Sequence, residues 1–266
     1  MKPGEEDLIY LYCVTEKEPK LKEVEKLADK LYFVYHQGLY AVVSIVSHNE
    51  FSEENLKKNL SDMWWIRLKV DIHERIIEGI MEGACVIPFK FATLFNSEDN
   101  LKMNLEGHMD EFKENLKRLE GKEEWGVKIY CDMERLKDFL NDKDEEILKI
   151  DKEINSTSSQ GKAFFLKKKK EELLNIAVNK RLNEYGHGVF DRLREESIKT
   201  RINKLLPREL TERKEDMILN SAFLVDKSKV REFVQAVDYL NGEYTDIGIN
   251  LDCTGPWPPY NFINNG

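Results

Sequence analysis

His73-Glu74-Arg75-Ile76-Ile77 is the nearest approach in this chain to a metal-binding helix. A helix of that kind carries histidines four residues apart, so that both imidazoles reach one zinc ion from the same face. Position 77 is isoleucine, so the second ligand is missing. His73 reads instead as a hydrogen-bonded histidine on an apolar helix face, with Glu74 outside it. His36, His48, His108 and His187 have no companion Cys or His at ligand spacing. Cys13, Cys85, Cys131 and Cys253 are scattered, and no two are spaced C-x-x-C. Each lies in or beside an apolar run, as reduced, buried thiols of a cytosolic protein do. There is no glycine-rich phosphate loop and no G-x-S-x-G elbow. Paired carboxylates are common, but they lie on charged helices where solvated acids belong. These residue types imply no enzyme, no catalytic residue, no metal and no cofactor. Thr93 and His73 would be the first places to look for one.

The run LDCTGPWPPYNFI, Leu251 to Ile263, raises a different question. Pro256, Pro258 and Pro259 remove three backbone donors, so the run cannot be a central strand. Trp257 precedes a proline and is held extended, and Pro258-Pro259 favours polyproline II. Gly255 supplies the turn out of the strand. Trp257, Tyr260 and Phe262 then set aromatic area on a stiff spine. Two uses are open: a clamp packed back over the fold, or an apolar surface presented to a partner. Pro256 and Pro259 satisfy P-x-x-P, but no basic residue flanks them, so an SH3-type groove is not the expected partner.

The elements that must position these groups are legible as periodicities. The chain has 266 residues, enough for two modest domains, with 41% apolar and 34% charged residues. Its 41 basic and 50 acidic side chains give a net charge of −9. That argues against a nucleic-acid partner and, more weakly, against docking on anionic lipid. MKPGEEDLIY lacks the apolar core of a signal peptide, and no run is long enough to span a membrane. Strands are predicted at 8–14, 31–36 and 39–46, the last two joined by a two-residue turn at Gln37-Gly38. A helix is predicted over 19–30. Ser52 reads as a helix cap, and another helix runs from about Asp62 to Gly79. The segments 84–89 and 90–95 read as short or bent strands around Pro88. Together these give β-α-β-β-α-β, the split pattern of a ferredoxin-like domain.

Beyond it, 97–119 reads as helix, 125–131 as strand, 134–154 as charged helix and 155–162 as loop. A long helix is predicted over 163–204, with Gly186 and Gly188 as a possible kink; Lys167–Lys170 reads as a solvated face of it. A strand at 216–225, a helix at 227–240 and a strand at 244–253 complete the chain. The expectation is an α+β protein of two domains. Residues 1–122 form a ferredoxin-like N-terminal domain. Residues 123–266 form an α+β domain with a helical insert at about 134–204 and the Pro/aromatic tail.

Four runs together resemble the gas vesicle protein F/L family: LYAVVSIVS, HE followed by VIPFKFATLF, EWGVKIY and GPWPPYNF. They occur in the family's order and cover nearly the whole chain. One departure is Ala92-Thr93, where the family often has Gly-Thr. The resemblance implies a non-enzymatic assembly protein or minor structural component of gas vesicles, cytoplasmic and on the vesicle. It implies partners among the gas vesicle proteins, above all the small hydrophobic shell protein, whose aggregation it would limit during nucleation. It marks His73, Glu74, Pro88, Phe89, Phe91, Thr93, Trp125, Gly255, Pro256, Trp257, Pro258, Pro259, Tyr260 and Phe262 as family or partner-binding positions. Sheet edges near Pro88 or the 39–46 hairpin are candidate contact points. The alternative reading is an α/β small-molecule-binding regulatory module, since split β-α-β domains often bind ligands between elements.

Overall fold

Leu8–Val14 is apolar at nearly every position, and it forms a strand buried on both faces: β1 (Asp7–Thr15). The computed structural model describes residues 7–263. Met1–Glu6, which open the segment read above for a signal peptide, and residues 264–266 lie outside the described residues. The chain divides into two compact units, residues 1–124 with 256–266, and residues 125–255.

In the first unit, β1 is followed by β2 (Leu31–His36) and β3 (Leu39–Ser47). Gln37 and Gly38 both have positive φ, 47° and 91°. That is the requirement of the tight two-residue turn that joins twisted strands, and it sets His36 opposite Leu39. Next come α1 (His48–Phe51), α2 (Glu53–Asn59) and α3 (Met63–Met81). Ser52 caps α2 by accepting from the Asn55 amide at 3.4 Å, and Asp62 caps α3 through the Trp64 and Trp65 amides. The buried face of α3 is His73, Ile76, Ile77 and Ile80. The strands β4 (Ile87–Pro88) and β5 (Leu94–Phe95) both pair antiparallel with β1. The sheet order is β2-β3-β1-β4, with β5 also on β1. Two helices, α4 (Glu98–Gly107) and α5 (Met109–Leu119), follow.

The second unit begins within β6 (Lys122–Cys131). It continues through α6 (Met133–Lys143), α7 (Glu145–Ser156), α8 (Gln160–Glu195) and β7 (Lys199–Ile202). Then come α9 (Arg208–Thr211), β8 (Asp216–Asp226), α10 (Val230–Tyr244) and β9 (Ile249–Trp257). The strand order is β7-β8-β6-β9. Val127, Ile129, Phe223, Phe233, Val189 and Leu193 are among the side chains of its core.

Several elements differ from the sequence reading. The helix predicted over 19–30 is one 3-10 turn, Leu21–Glu23, and Lys30 closes the segment at φ 51°. The helix predicted over 97–119 breaks at His108, and that predicted over 134–154 breaks at Asp144. The Asp144 carboxylate accepts from the Glu146 and Ile147 amides and so starts a new helix. The loop expected at 155–162 shrinks to three residues, because Ser159 caps α8 from the Lys162 amide. The long helix stays continuous through Gly186 and Gly188 and ends at Glu195. Its expected last residues form β7 instead, where Ile198, Thr200 and Ile202 alternate at strand period and pair with β8. The helix expected at 227–240 runs from Val230 to Tyr244, and β9 therefore begins at Ile249. As three prolines require, β9 is an edge strand, with Pro256 near its end.

Candidate functional site: the tail contact and an exposed helix face

β1 places Tyr10 and Tyr12 on the side facing α3, and α3 turns His73 toward them. His73 is 1% exposed. Its Nε2 lies 3.0 Å from the Phe89 carbonyl, which can only accept, so Nε2 carries the proton. Its Nδ1 then accepts from the Tyr10 hydroxyl at 2.9 Å. The Tyr10 oxygen in turn accepts from the Ala92 amide at 2.9 Å. The Tyr260 hydroxyl lies 3.1 Å from His73 Nε2 and donates to Glu74 Oε1 at 3.1 Å. Every polar hydrogen of the cluster is thus placed around a neutral imidazole.

Burial enforces that charge state. It pushes the His73 pKa down to about 4, and the bond to the Phe89 carbonyl offsets this only in part. The same burial raises the Tyr10 and Tyr260 phenols and the Glu74 carboxyl. Cys131 is pushed up to about 12 and Cys253 to about 11, chiefly by burial. These shifts move phenols and thiols away from the ionised forms that nucleophiles use. Phe51, Trp65 and Phe91 close the cluster with ring-edge contacts, and Tyr12 is held by Ser44 at 2.9 Å.

The tail completes this arrangement. Pro258 and Pro259 are buried, and the Tyr260 amide turns back onto the Pro258 carbonyl at 2.7 Å. Asn261 forks onto Glu124, its amide at 3.0 Å and its side-chain nitrogen at 2.6 Å. The Phe262 ring is buried, and its carbonyl accepts from Arg118 at 2.7 Å. Arg118 also donates to the buried Asn115 side chain. Sequence alone does not assign Arg118, Asn115, Glu124 and Asn261 to this contact. A polar Asn115 on the apolar face of α5, between Phe112 and Leu119, was the signal available.

The structure gathers the side chains of His73, Glu74, Phe91, Tyr260 and Tyr10 into one cluster, which Phe89 joins through its carbonyl while its ring packs on Phe112. Pro88 lies opposite Cys13 on β1, and the Thr93 hydroxyl donates to the Lys90 carbonyl at 2.7 Å. Pro256 and Trp257 are solvent-exposed. Trp125 packs in the core of the second unit, which also holds Gly255. Strand 39–47 lies between β2 and β1, so the edge of that hairpin is β2. Among the described residues no three His, Cys, Asp or Glu side chains are grouped to hold a metal.

A second feature lies on the outer face of α3. Trp65 turns inward, its indole nitrogen donating to Glu50 at 2.8 Å. Its neighbour Trp64 is 81% exposed and Met63 is 75% exposed. Leu60 and Leu68 are exposed beside them, and Trp64 and Leu68 share a helix face at i, i+4. Arg67 is the charge between them. Large apolar side chains clustered this way mark interaction surfaces.

Comparison with known proteins gives a consistent answer. A family model described as gas vesicle synthesis protein GvpL/GvpF matches residues 8–264. Gas vesicle protein L of a Streptomyces species is 25% identical over 240 residues, 85% of this chain and 80% of that protein. Gas vesicle protein F1 of Halobacterium salinarum is 26% identical over 263 residues, 96% of this chain and 92% of that protein. The crystal structure of GvpF from Anabaena superposes with a TM-score of 0.71 at 17% identity, covering 98% of this chain and 99% of that one. GvpF from Microcystis aeruginosa gives 0.65 at 17% identity, covering 97% and 99%. Those superpositions carry the fold, mixed helix and sheet with two antiparallel sheets. The match to the family model spans nearly the whole sequence, and this chain belongs to the GvpL/GvpF family of gas vesicle synthesis proteins.

Proposed function

We propose that this chain is a non-enzymatic gas vesicle assembly protein and minor structural component. It works in the cytoplasm and on the vesicle, where it binds the small hydrophobic shell protein and limits its aggregation during nucleation. The observation that carries this reading is the apolar face formed by Leu60, Met63, Trp64 and Leu68. An acidic carrier, net charge −9, that offers one apolar face can cover an aggregating surface and keep the complex dispersed by self-repulsion. The tail acts as a clamp: Tyr260, Asn261 and Phe262 spend their contacts on the first unit's own interior. The strand order β4-β1-β3-β2 supports treating that unit as a modified ferredoxin-like domain whose first crossover is a turn.

Co-expression with the shell protein tests the proposal. The expected result is more shell protein in the soluble fraction and its co-elution with this chain. Unchanged solubility without co-elution would reject the proposal.

A further inference from the structure

The distal end of the α7–α8 hairpin is built unlike the rest of the chain. The core of the second unit holds Ile147 of α7 and Val178 of α8, and none of residues 151–173 belongs to it. Residues 154–170, INSTSSQGKAFFLKKKK, hold five lysines and no acid. In the middle of that stretch Phe164 is 70% and Phe165 76% exposed. Lys167, Lys168 and Lys169 follow, all exposed and with no ion pair among the described residues. Lys170 is tied to Asp151 at 2.7 Å, which fixes the register of the two helices. That register brings Lys152 to the level of the lysine run, with Glu153 beside it and Glu171 and Glu172 behind.

An exposed aromatic pair flanked along the helix by Lys162 on its turn side and by Lys167–Lys169 on the other is the pattern of a helix lying along a bilayer interface. A rise of about 1.5 Å per residue puts Lys168 roughly 4.5 Å behind Phe165 along the helix. Rings at the boundary between headgroups and acyl chains would leave those ammonium groups at phosphate depth. The turn residues Thr157, Ser158 and Ser159 are uncharged, and exposed Lys162 between the turn and the rings can keep its ammonium at the phosphates as Lys167–Lys169 do. The overall negative charge opposes such docking only weakly, because acids farther than about 8 Å from the bilayer are screened at physiological ionic strength. We propose that the tip of the α7–α8 hairpin, through Phe164, Phe165 and Lys167–Lys169, is a reversible anchor for anionic lipid bilayers. Exposed rings beside exposed ammonium groups match an apolar layer beneath an anionic one, which favours the bilayer over a protein.

The test is flotation of the full chain with vesicles of phosphatidylcholine alone, and with vesicles containing equal parts phosphatidylglycerol. The expected result is binding at least about tenfold tighter to the anionic vesicles, weakened by salt. Phe164→Ser with Phe165→Ser, and separately Lys167, Lys168 and Lys169→Gln, should each reduce it at least about fivefold. All five positions are exposed, and far-UV circular dichroism is the check that each variant is folded. A Phe165→Trp variant should add blue-shifted emission on anionic vesicles. No vesicle binding, equal binding to both vesicles, or variants that float like the wild type would overturn the proposal. So would capture by polyglutamate that matches vesicle binding and ignores the phenylalanines, since that is charge attraction to an acidic polypeptide.

Discussion

Tyr260 reaches back across 187 positions to set its hydroxyl 3.1 Å from Nε2 of His73. The same hydroxyl donates to Glu74, so the end of the chain is stitched to two neighbouring residues of α3. The stiff, apolar tail is therefore an internal fastening of the first unit. Replacing Tyr260 by Phe keeps the ring and removes the hydroxyl, leaving Glu74 without that donor. The expected cost is about 1–2 kcal/mol. Phe262→Ala empties a buried site and should cost about 3–5 kcal/mol. Denaturant unfolding followed by a probe in the first unit checks both values. Equal stability of Tyr260→Phe and wild type would show that the hydroxyl fastens nothing.

Burial of neutral His73 makes stability depend on pH. In the unfolded chain the imidazole binds a proton below about 6.5; in the folded chain it does so only below about 4. Between those values the unfolded state holds more protons, so stability falls as pH falls from 6.5 toward 4. The shift corresponds to about 3 kcal/mol across that window. His73→Gln should be less stable at pH 7 and should lose this component of the slope. Unfolding midpoints measured from pH 4 to 7 decide it: parallel profiles for the two proteins would contradict the assignment.

Ala92 sits at φ 61°, a left-handed conformation that costs an alanine about 1 kcal/mol. It stays there because its amide donates to Tyr10 and the loop from β4 to β5 must close over the tyrosine. Ala92→Gly should stabilise the protein by up to about 1 kcal/mol, and Ala92→Val should destabilise it. The pair of opposite signs is read by thermal unfolding.

Gly79 lies inside α3, where helix propensity alone favours alanine by about 1 kcal/mol. A Cβ there would stand 2.3 Å from Cγ1 of Val24, a buried side chain. Gly79→Ala should therefore destabilise by about 1–3 kcal/mol despite the gain in propensity. Pairing it with Val24→Ala should recover part of that loss, and a double-mutant cycle measures the coupling.

The local part of the fold was legible in the sequence. The Ser52 cap, the Gln37-Gly38 turn and the His73–Ile80 seam each announce themselves within a few residues. Elements fixed by distant partners were not. Lys199–Ile202 becomes a strand because β8 lies beside it; the alternation of Ile198, Thr200 and Ile202 is too short to mark a strand after so long a charged helix. The aromatic tail stood out by composition. Its anchors Glu124 and Arg118 did not, since a charge on a strand or helix carries no mark of what it meets 137 or 144 positions away. Trp64 and Trp65 look alike in sequence, and only packing turns one inward to Glu50 and leaves the other exposed.

The account stands on the division of labour between that exposed face and the buried tail. The direct measurement is co-elution of the small shell protein with three folded chains: wild type, Met63→Ser with Trp64→Ser, and Tyr260→Phe. The account predicts shell protein with the wild type and with Tyr260→Phe, and at least about a tenfold loss with the double variant. Undiminished co-elution with the double variant, or its loss in Tyr260→Phe at a temperature where that chain remains folded, would contradict it.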